Sequence, residues 1–344
     1  MIKNLLKRIY YSYGIPLIIK KKIDKKFPKN KKIFYRTEAK AWREDFLNLF
    51  LSEGQTNLAS SDSNSQSKSI NQCGLNLNQI NHIVSQLKEK GYYVIEDYLN
   101  PMISREIVKY ASVTPCYPRK KDSEKIDYLP QNLKKPYLSA RYDFSPDLKS
   151  IFSNIQLQNL IADPFLYSIA EEYLSSTPYL DPVELWWFVP FPERDAAWAE
   201  EYHFDYDSIK WLKFFFNFED VTYENGPHCF IEGTHKDYGI SESLRRLGYT
   251  RHSDAAIFSE YDKSLEKIFT AKAGSLLIED TRGLHKGLTP TKGRRLLFSF
   301  QLSNYLFIEN SDLEKRIYPD FNMSESFSNL YASNPLFFEK YFKS

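Results

Sequence analysis

The chain of 344 residues has only three cysteines, Cys73, Cys116 and Cys229, and no C-x-x-C pair. So sparse and odd a set argues against a disulfide scaffold and a thiolate zinc site, and fits a reducing compartment. Glycine is scarce too, at 12 residues beside 25 Tyr and 25 Phe, which rules out collagen-like and glycine-rich low-complexity chains. No run approaches the roughly 18 apolar residues of a membrane-spanning helix. The nearest, residues 9–19, is broken by Ser12, Gly14 and Pro16. Lys20, Lys21 and Lys22 follow it where a small-residue cleavage site would stand, so no signal peptide is expected. What the chain has instead is apolar bulk. Hydrophobic residues make up 42% and aromatic residues 16%, which demands a sizeable core.

Acidic residues are nearly missing from residues 1–32, where Asp24 stands alone among eleven basic side chains. This arm carries +10, and the remaining 35 basic and 43 acidic residues leave −8 on the body. A mildly acidic body does not suit a nucleic-acid partner. The arm could touch an anionic membrane surface, with Tyr10, Tyr11 and Tyr13 suited to the headgroup region. A solvated arm folded back on the acidic body is the plainer reading. The expected location is cytoplasmic, peripheral at most at the inner face of a membrane.

Four regions are expected: a basic arm and helix over 1–52, a Ser/Asn/Gln-rich linker over 53–75, a compact domain over 76–310 and a partly helical tail over 311–344. Within the domain, periodicity predicts a helix over 78–90 ending at Gly91, a strand over 92–96 and a helix over 104–111 capped by Ser104. Residues 114–145 read as a long surface excursion. Its Arg119, Lys120, Lys121, Lys134, Lys135 and Arg141 are either solvated or available to an anionic ligand. A helix over 157–174, interrupted near Asp163 and Pro164, completes the helical half. Strands follow over 184–189, 202–207, 211–218, 229–231, 275–278 and 295–302. Helices first and antiparallel strands after predict a mainly β protein with a helical cover, built on a double-sheet jelly roll.

Six histidines are present, and His203 is the informative one. Residues i and i+2 of a strand share a face, so His203 and Asp205 point the same way. They form two legs of a two-histidine, one-carboxylate triad, which leaves three positions open on an Fe(II) ion. Asp207 is a rival on the same face. His285, just after a strand and inside a polar turn, is the best third ligand. Ten residues on, Arg295 opens a strand and shares a face with Leu297, Ser299 and Gln301. Its guanidinium suits a bidentate hold on a carboxylate, as the far end of 2-oxoglutarate requires. Arg294 competes but shares its face with Leu296, Phe298 and Phe300. His235, after Gly233 and Thr234, is read as satisfying backbone groups at a turn, and His228 as structural.

Taken in order, Gly91-Tyr92-Tyr93-Val94, His203-Phe204-Asp205, Glu224-Asn225-Gly226-Pro227, Gly233-Thr234-His235-Lys236, Ala273-Gly274-Ser275, His285 and Arg295 resemble the phytanoyl-CoA dioxygenase-like family of Fe(II)/2-oxoglutarate oxygenases over residues 76–305. The resemblance implies a double-stranded β-helix fold related to the cupins, with iron on His203, Asp205 and His285. It also implies 2-oxoglutarate on Arg295, to which Ser299 could add a hydrogen bond. Two features depart from the family. Glu232 stands where its proline is usual, and the spacing from His285 to Arg295 is about a residue short. The implied activity is hydroxylation of an unactivated C–H bond in a small-molecule, lipid-linked or saccharide substrate, with release of succinate and CO2. Because Asp205 is present, the related halogenases, which replace that carboxylate with a small residue, are a poorer match. The rival from another class is a non-catalytic jelly roll binding a glycan or lipid headgroup, possible also at a membrane surface.

Overall fold

In the computed structural model, the apolar runs of the second half of the chain become strands of two antiparallel sheets. The structure describes residues 77–119, 139–191, 201–247, 250–306 and 314–343, apart from Pro146, Tyr206, Ile209 and Tyr238. The basic arm, the expected helix over 33–52, the linker over 53–75 and residues 120–138 of the excursion lie outside the described residues. The chain divides into two compact units. One comprises Met1–Asn76 and Ser241–Thr250, whose described part contains the short helix Glu242–Arg246. The other, Leu77–Ile240 with Arg251–Ser344, holds both sheets.

Among the described residues of the second unit, the helices are α1 (Leu77–Lys90), α2 (Pro101–Ala111), α3 (Leu148–Phe152), α4 (Ile155–Ile161), α5 (Pro164–Leu174), α6 (Asp254–Phe258) and α7 (Glu325–Ser333). Its strands are β1 (Tyr92–Ile95), β2 (Tyr117–Pro118), β3 (Arg141–Asp143), β4 (Tyr179–Phe188), β5 (Trp211–Asn217), β6 (His228–Ile231), β7 (Glu266–Phe269), β8 (Leu276–Glu279), β9 (His285–Gly287) and β10 (Arg295–Ser303). The large sheet runs β1-β8-β5-β10-β4-β3-β2 and the small one β7-β6-β9. Isolated bridges from Tyr202 to His252 and from His203 to His285 bring the segment before β5 alongside β9. From β4 onward the chain visits large sheet, His203 segment, large sheet, small sheet twice, large, small and large again. That alternating winding is a double-stranded β-helix.

The long strand β10 sets the interior, because both of its neighbours are paired and all nine of its residues are buried. Pleating sends Leu297 to one face, where it clusters with Trp186, Phe188, Phe215 and Leu277. Phe298 and Phe300 go to the other face and pack on Phe216 and Phe214. Burial of each such ring contributes about 1.5–3 kcal/mol. On the helical side, α5 packs against α1, β5 and β10. The tail is tied down as well. The Val183 N–H donates to Tyr341 Oη at 2.7 Å, Lys340 pairs with Asp181, and Phe338 and Phe342 join an aromatic cluster with Phe152 and Phe327.

Several local expectations need correction. Helix α2 starts at Pro101, not Ser104, because Asn100 caps it by accepting from Met102 N at 2.8 Å and Pro101 is preset for the first helical position. Ser104 is buried inside the helix. His285 begins strand β9 rather than sitting in a turn, since β6 and the His203 bridge flank it on both sides. The expected strand over 202–207 reduces to bridges at Tyr202 and His203. Arg141 is not a solvated loop charge: it lies in β3, and its guanidinium sits 4.0 Å above the Trp186 ring. β7 and β3 are too short and mixed in composition for periodicity to reveal. No helix among the described residues is long and apolar enough to cross a membrane.

Where β6 begins, the chain turns through Gly226 at φ 81°, closing a short helical turn boxed by Thr222 and Asn225. A Cβ there would run into the Leu288 carbonyl oxygen and meet Pro290 at 2.9 Å. Gly226→Ala should therefore cost about 2–3 kcal/mol of stability, read by chemical denaturation; a loss under about 0.5 kcal/mol would refute this account of the turn.

Candidate metal centre

The centre is assembled by backbone first. His203 N donates to His285 O at 2.9 Å, and His285 N donates back to His203 O at 2.8 Å. This pair sets the two rings side by side, centroids 4.3 Å apart. Two residues on, Asp205 N donates to Thr281 O at 2.9 Å. Thr281 is itself fixed, because its hydroxyl accepts from Trp211 Nε1 at 2.8 Å. Its neighbour Asp280 accepts from the Tyr173 hydroxyl at 2.6 Å and pairs with Arg282. The loop that carries His285 is thus pinned to the helical layer as well as to the sheets.

The side chains converge within that frame. His203 Nε2 lies 4.0 Å from Asp205 Oδ1, and His285 Nε2 lies 3.6 Å from Asp205 Oδ2. One ligand atom from each residue falls within 4.8 Å of the others, close enough for one ion to touch all three. Each imidazole offers its Nδ1–H to a main-chain carbonyl, His203 to Glu201 at 3.2 Å and His285 to Gly283 at 2.9 Å. That turns each Nε2 toward Asp205, the side from which a metal would be held. Burial pushes both imidazoles below the usual histidine value, His203 well below, so both are neutral near pH 7. Burial alone would raise the Asp205 carboxyl. The charge of Lys213 and its hydrogen bond outweigh it and hold this group well below the ordinary carboxylate value. Neutral imidazoles and an ionised carboxylate are the protonation states metal binding requires.

The other expected residues separate cleanly. Arg295 is 3% exposed, on the interior face with Ser299 and Gln301. Its side chain has no ion pair with any described residue, its buried Nε meets no acceptor, and its guanidinium lies 5.3 Å from the Phe188 ring centroid. Burial lowers its pKa to about 10. Arg294 goes elsewhere, over the Trp187 ring at 4.2 Å and toward Ser112 Oγ at 3.4 Å. Asp207 is not in the cluster and pairs with Lys213 at 3.1 Å. His235 Nε2 meets the Lys88 carbonyl at 3.2 Å, in keeping with a role at a turn.

Two residues that sequence reasoning passed over, Lys213 and Glu279, and one that it read as structural, His228, lie around the triad. Lys213 lies 2.7 Å from Asp205 Oδ2. His228 Nε2 is 3.0 Å from the Glu279 carboxyl, and its ring stacks 5.5 Å from that of His285. The signal for Lys213 and Glu279 was a lone charge inside or closing an apolar strand, at Trp211–Asn217 and Leu276–Glu279. Nothing local to the chain marks His228 as Glu279's partner.

No family model matches the chain, and no curated protein matches it. Solved structures similar to it are non-haem iron, 2-oxoglutarate-dependent enzymes. One is the epimerase SnoN in complex with Fe3+, alpha ketoglutarate and nogalamycin RO, 14% identical over 66% of this chain and 84% of that one, with a TM-score of 0.47. Another is HygX from Streptomyces hygroscopicus with nickel, 2-oxoglutarate and hygromycin B bound, 12% identical over 66% and 88%, TM-score 0.44. A third is the carbocyclase SnoK from nogalamycin biosynthesis, 13% identical over 74% and 95%, TM-score 0.44.

Burial raises the Glu279 carboxyl to about 8. A raised folded-state value means its contribution to stability is complete below its unfolded pKa, about 4.3, and is lost as pH climbs through 8. Glu279→Gln cannot lose it. In the metal-free protein, the variant should gain stability relative to the parent steadily between pH 5 and pH 8. Denaturation midpoints that differ by a constant amount across that range would contradict the assignment.

Proposed function

We propose that the chain is an Fe(II)- and 2-oxoglutarate-dependent oxygenase of the phytanoyl-CoA dioxygenase-like kind. Its substrate would be a small molecule, a lipid-linked intermediate or a saccharide, hydroxylated at an unactivated C–H bond. The observation that carries this reading is Arg295, 3% exposed with no carboxylate paired to it, on the same face of β10 as Ser299 and Gln301. A buried cation without a counter-charge is costly, and the far carboxylate of 2-oxoglutarate would supply one. When bound, an iron ion chelated by the 2-oxo acid supplies the dioxygen-dependent oxidation, with succinate and CO2 as co-products.

The protein's own part is placement. His203, Asp205 and His285 would hold the ion from one side and leave the opposite side open. Arg295 binds the distal carboxylate as a planar fork, with Ser299 available to donate from the same face. Trp186, Phe188 and Phe215 wall this space with apolar surface and keep bulk water out. The side chains of His203, Asp205 and His285 are only 12%, 9% and 6% exposed. The substrate must therefore present a slender part of itself to the ion. A non-catalytic glycan or headgroup binder needs neither a convergent His-Asp-His set nor a buried arginine without a carboxylate.

Anaerobic titration of the full chain with Fe(II) and 2-oxoglutarate is the test. A weak visible charge-transfer band should appear only with both present and should be absent in His203→Ala. Arg295→Ala should need about 10- to 100-fold more 2-oxoglutarate to reach it, the worth of a lost charge-assisted pair. Folded protein that gives no band would favour the binding-protein reading.

A further inference from the structure

At the centre of the described site sits a cation that the triad does not require. Lys213 is the third residue of β5, whose other members are Trp211, Leu212, Phe214, Phe215, Phe216 and Asn217. Both edges of that strand are hydrogen bonded, to β8 and β10, so its backbone is held in place. The Lys213 Cα is in register with Glu279 on one side and Gln301 on the other. Its ammonium reaches 2.7 Å from Asp205 Oδ2 and 3.1 Å from Asp207 Oδ2. An ammonium buried in an aromatic strand is tolerable only with such partners. The question is what the arrangement does for Asp205.

We propose that Lys213 is a positioning residue: it reserves one oxygen of Asp205, so that this carboxylate meets the metal through the other oxygen alone. The inference rests on the metal and co-substrate reading above. A carboxylate with both oxygens free can chelate a divalent ion through both and fill an extra position. The charge-assisted bond to Lys213 withholds Oδ2, which lies 3.6 Å from His285 Nε2, and leaves Oδ1, 4.0 Å from His203 Nε2, for the ion. The position kept open is one the two oxygens of a 2-oxo acid can use. The same ammonium opposes the ion. It neutralises the carboxylate the ion needs and places a positive charge close to the ion's seat. Lys213 therefore weakens metal binding and strengthens co-substrate binding.

Those opposite signs make the test. Co(II) binding to the full chain, and 2-oxoglutarate binding to the Co(II)-loaded protein, are measured by calorimetry under anaerobic conditions. Lys213→Met should bind Co(II) about tenfold or more tightly than the parent, and 2-oxoglutarate about tenfold more weakly. Lys213→Gln removes the charge but keeps one N–H donor. It should bind Co(II) more tightly while keeping 2-oxoglutarate affinity near that of the parent. It carries the test if the methionine variant does not fold. Loss of both affinities together would mean a merely structural lysine and would overturn the proposal. So would two unchanged affinities. If the parent chain binds no Co(II), it is the metal reading that fails, and this result is distinct from the other two.

Discussion

Two backbone hydrogen bonds between His203 and His285 are the constraint on which the candidate centre depends. They join segments far apart in the chain, and only the alternating winding of the two sheets brings those segments side by side. Each bond is worth about 1 kcal/mol net, too little to hold the loop alone. The hold comes from what surrounds them. Trp211 fixes Thr281, Tyr173 and Arg282 fix Asp280, and Asp205 hangs from the Thr281 carbonyl. A rotation of the 280–284 loop would move His285 and Asp205 together. The same network therefore sets both legs of the triad.

The interior is otherwise a place where charges are matched. Arg141 lies 2.6 Å from Asp143 and 2.9 Å from Glu184. Lys213 has Asp205 and Asp207, and Arg282 has Asp280, while Glu279 and His228 meet as neutral groups. Arg295 departs from that pattern. In a fold that partners its other interior cations so consistently, an unpaired guanidinium is better read as a recognition group than as a packing accident.

The centre was legible where the period of a strand carried the message. Alternation separated Arg295, beside Ser299 and Gln301, from Arg294, whose side chain lies over Trp187. The spacing of His203 and Asp205 also survived, although that segment forms bridges rather than a full strand. The rest depended on contacts between sheets. His228 and Glu279 belong to different sheets, and no local pattern pairs them. Lys213 was visible as an oddity in β5, but its meaning required knowing that Asp205 sits beside it. β9 escaped notice because three residues, His285–Gly287, are too few for a period to show.

On the proposed reading, the charges of the centre explain why ion and co-substrate belong together. Burial keeps His203, His285 and His228 neutral, and keeps Glu279 largely protonated at neutral pH, its pKa raised to about 8. Lys213 and Arg295 then face Asp205 and the more exposed Asp207, and these four formal charges sum to zero. A divalent cation alone would leave a double positive charge in a low-dielectric interior, and a dicarboxylate alone a double negative one. Bound together they cancel. The mismatch between local pairs resolves in the same way. Arg295, which lacks an anion, receives a carboxylate, while Asp205, already shared with Lys213, gives the ion only one oxygen. The 2-oxo acid end supplies the donors that a fuller set of protein ligands would otherwise provide. A site of this charge pattern favours the neutral pair over either member.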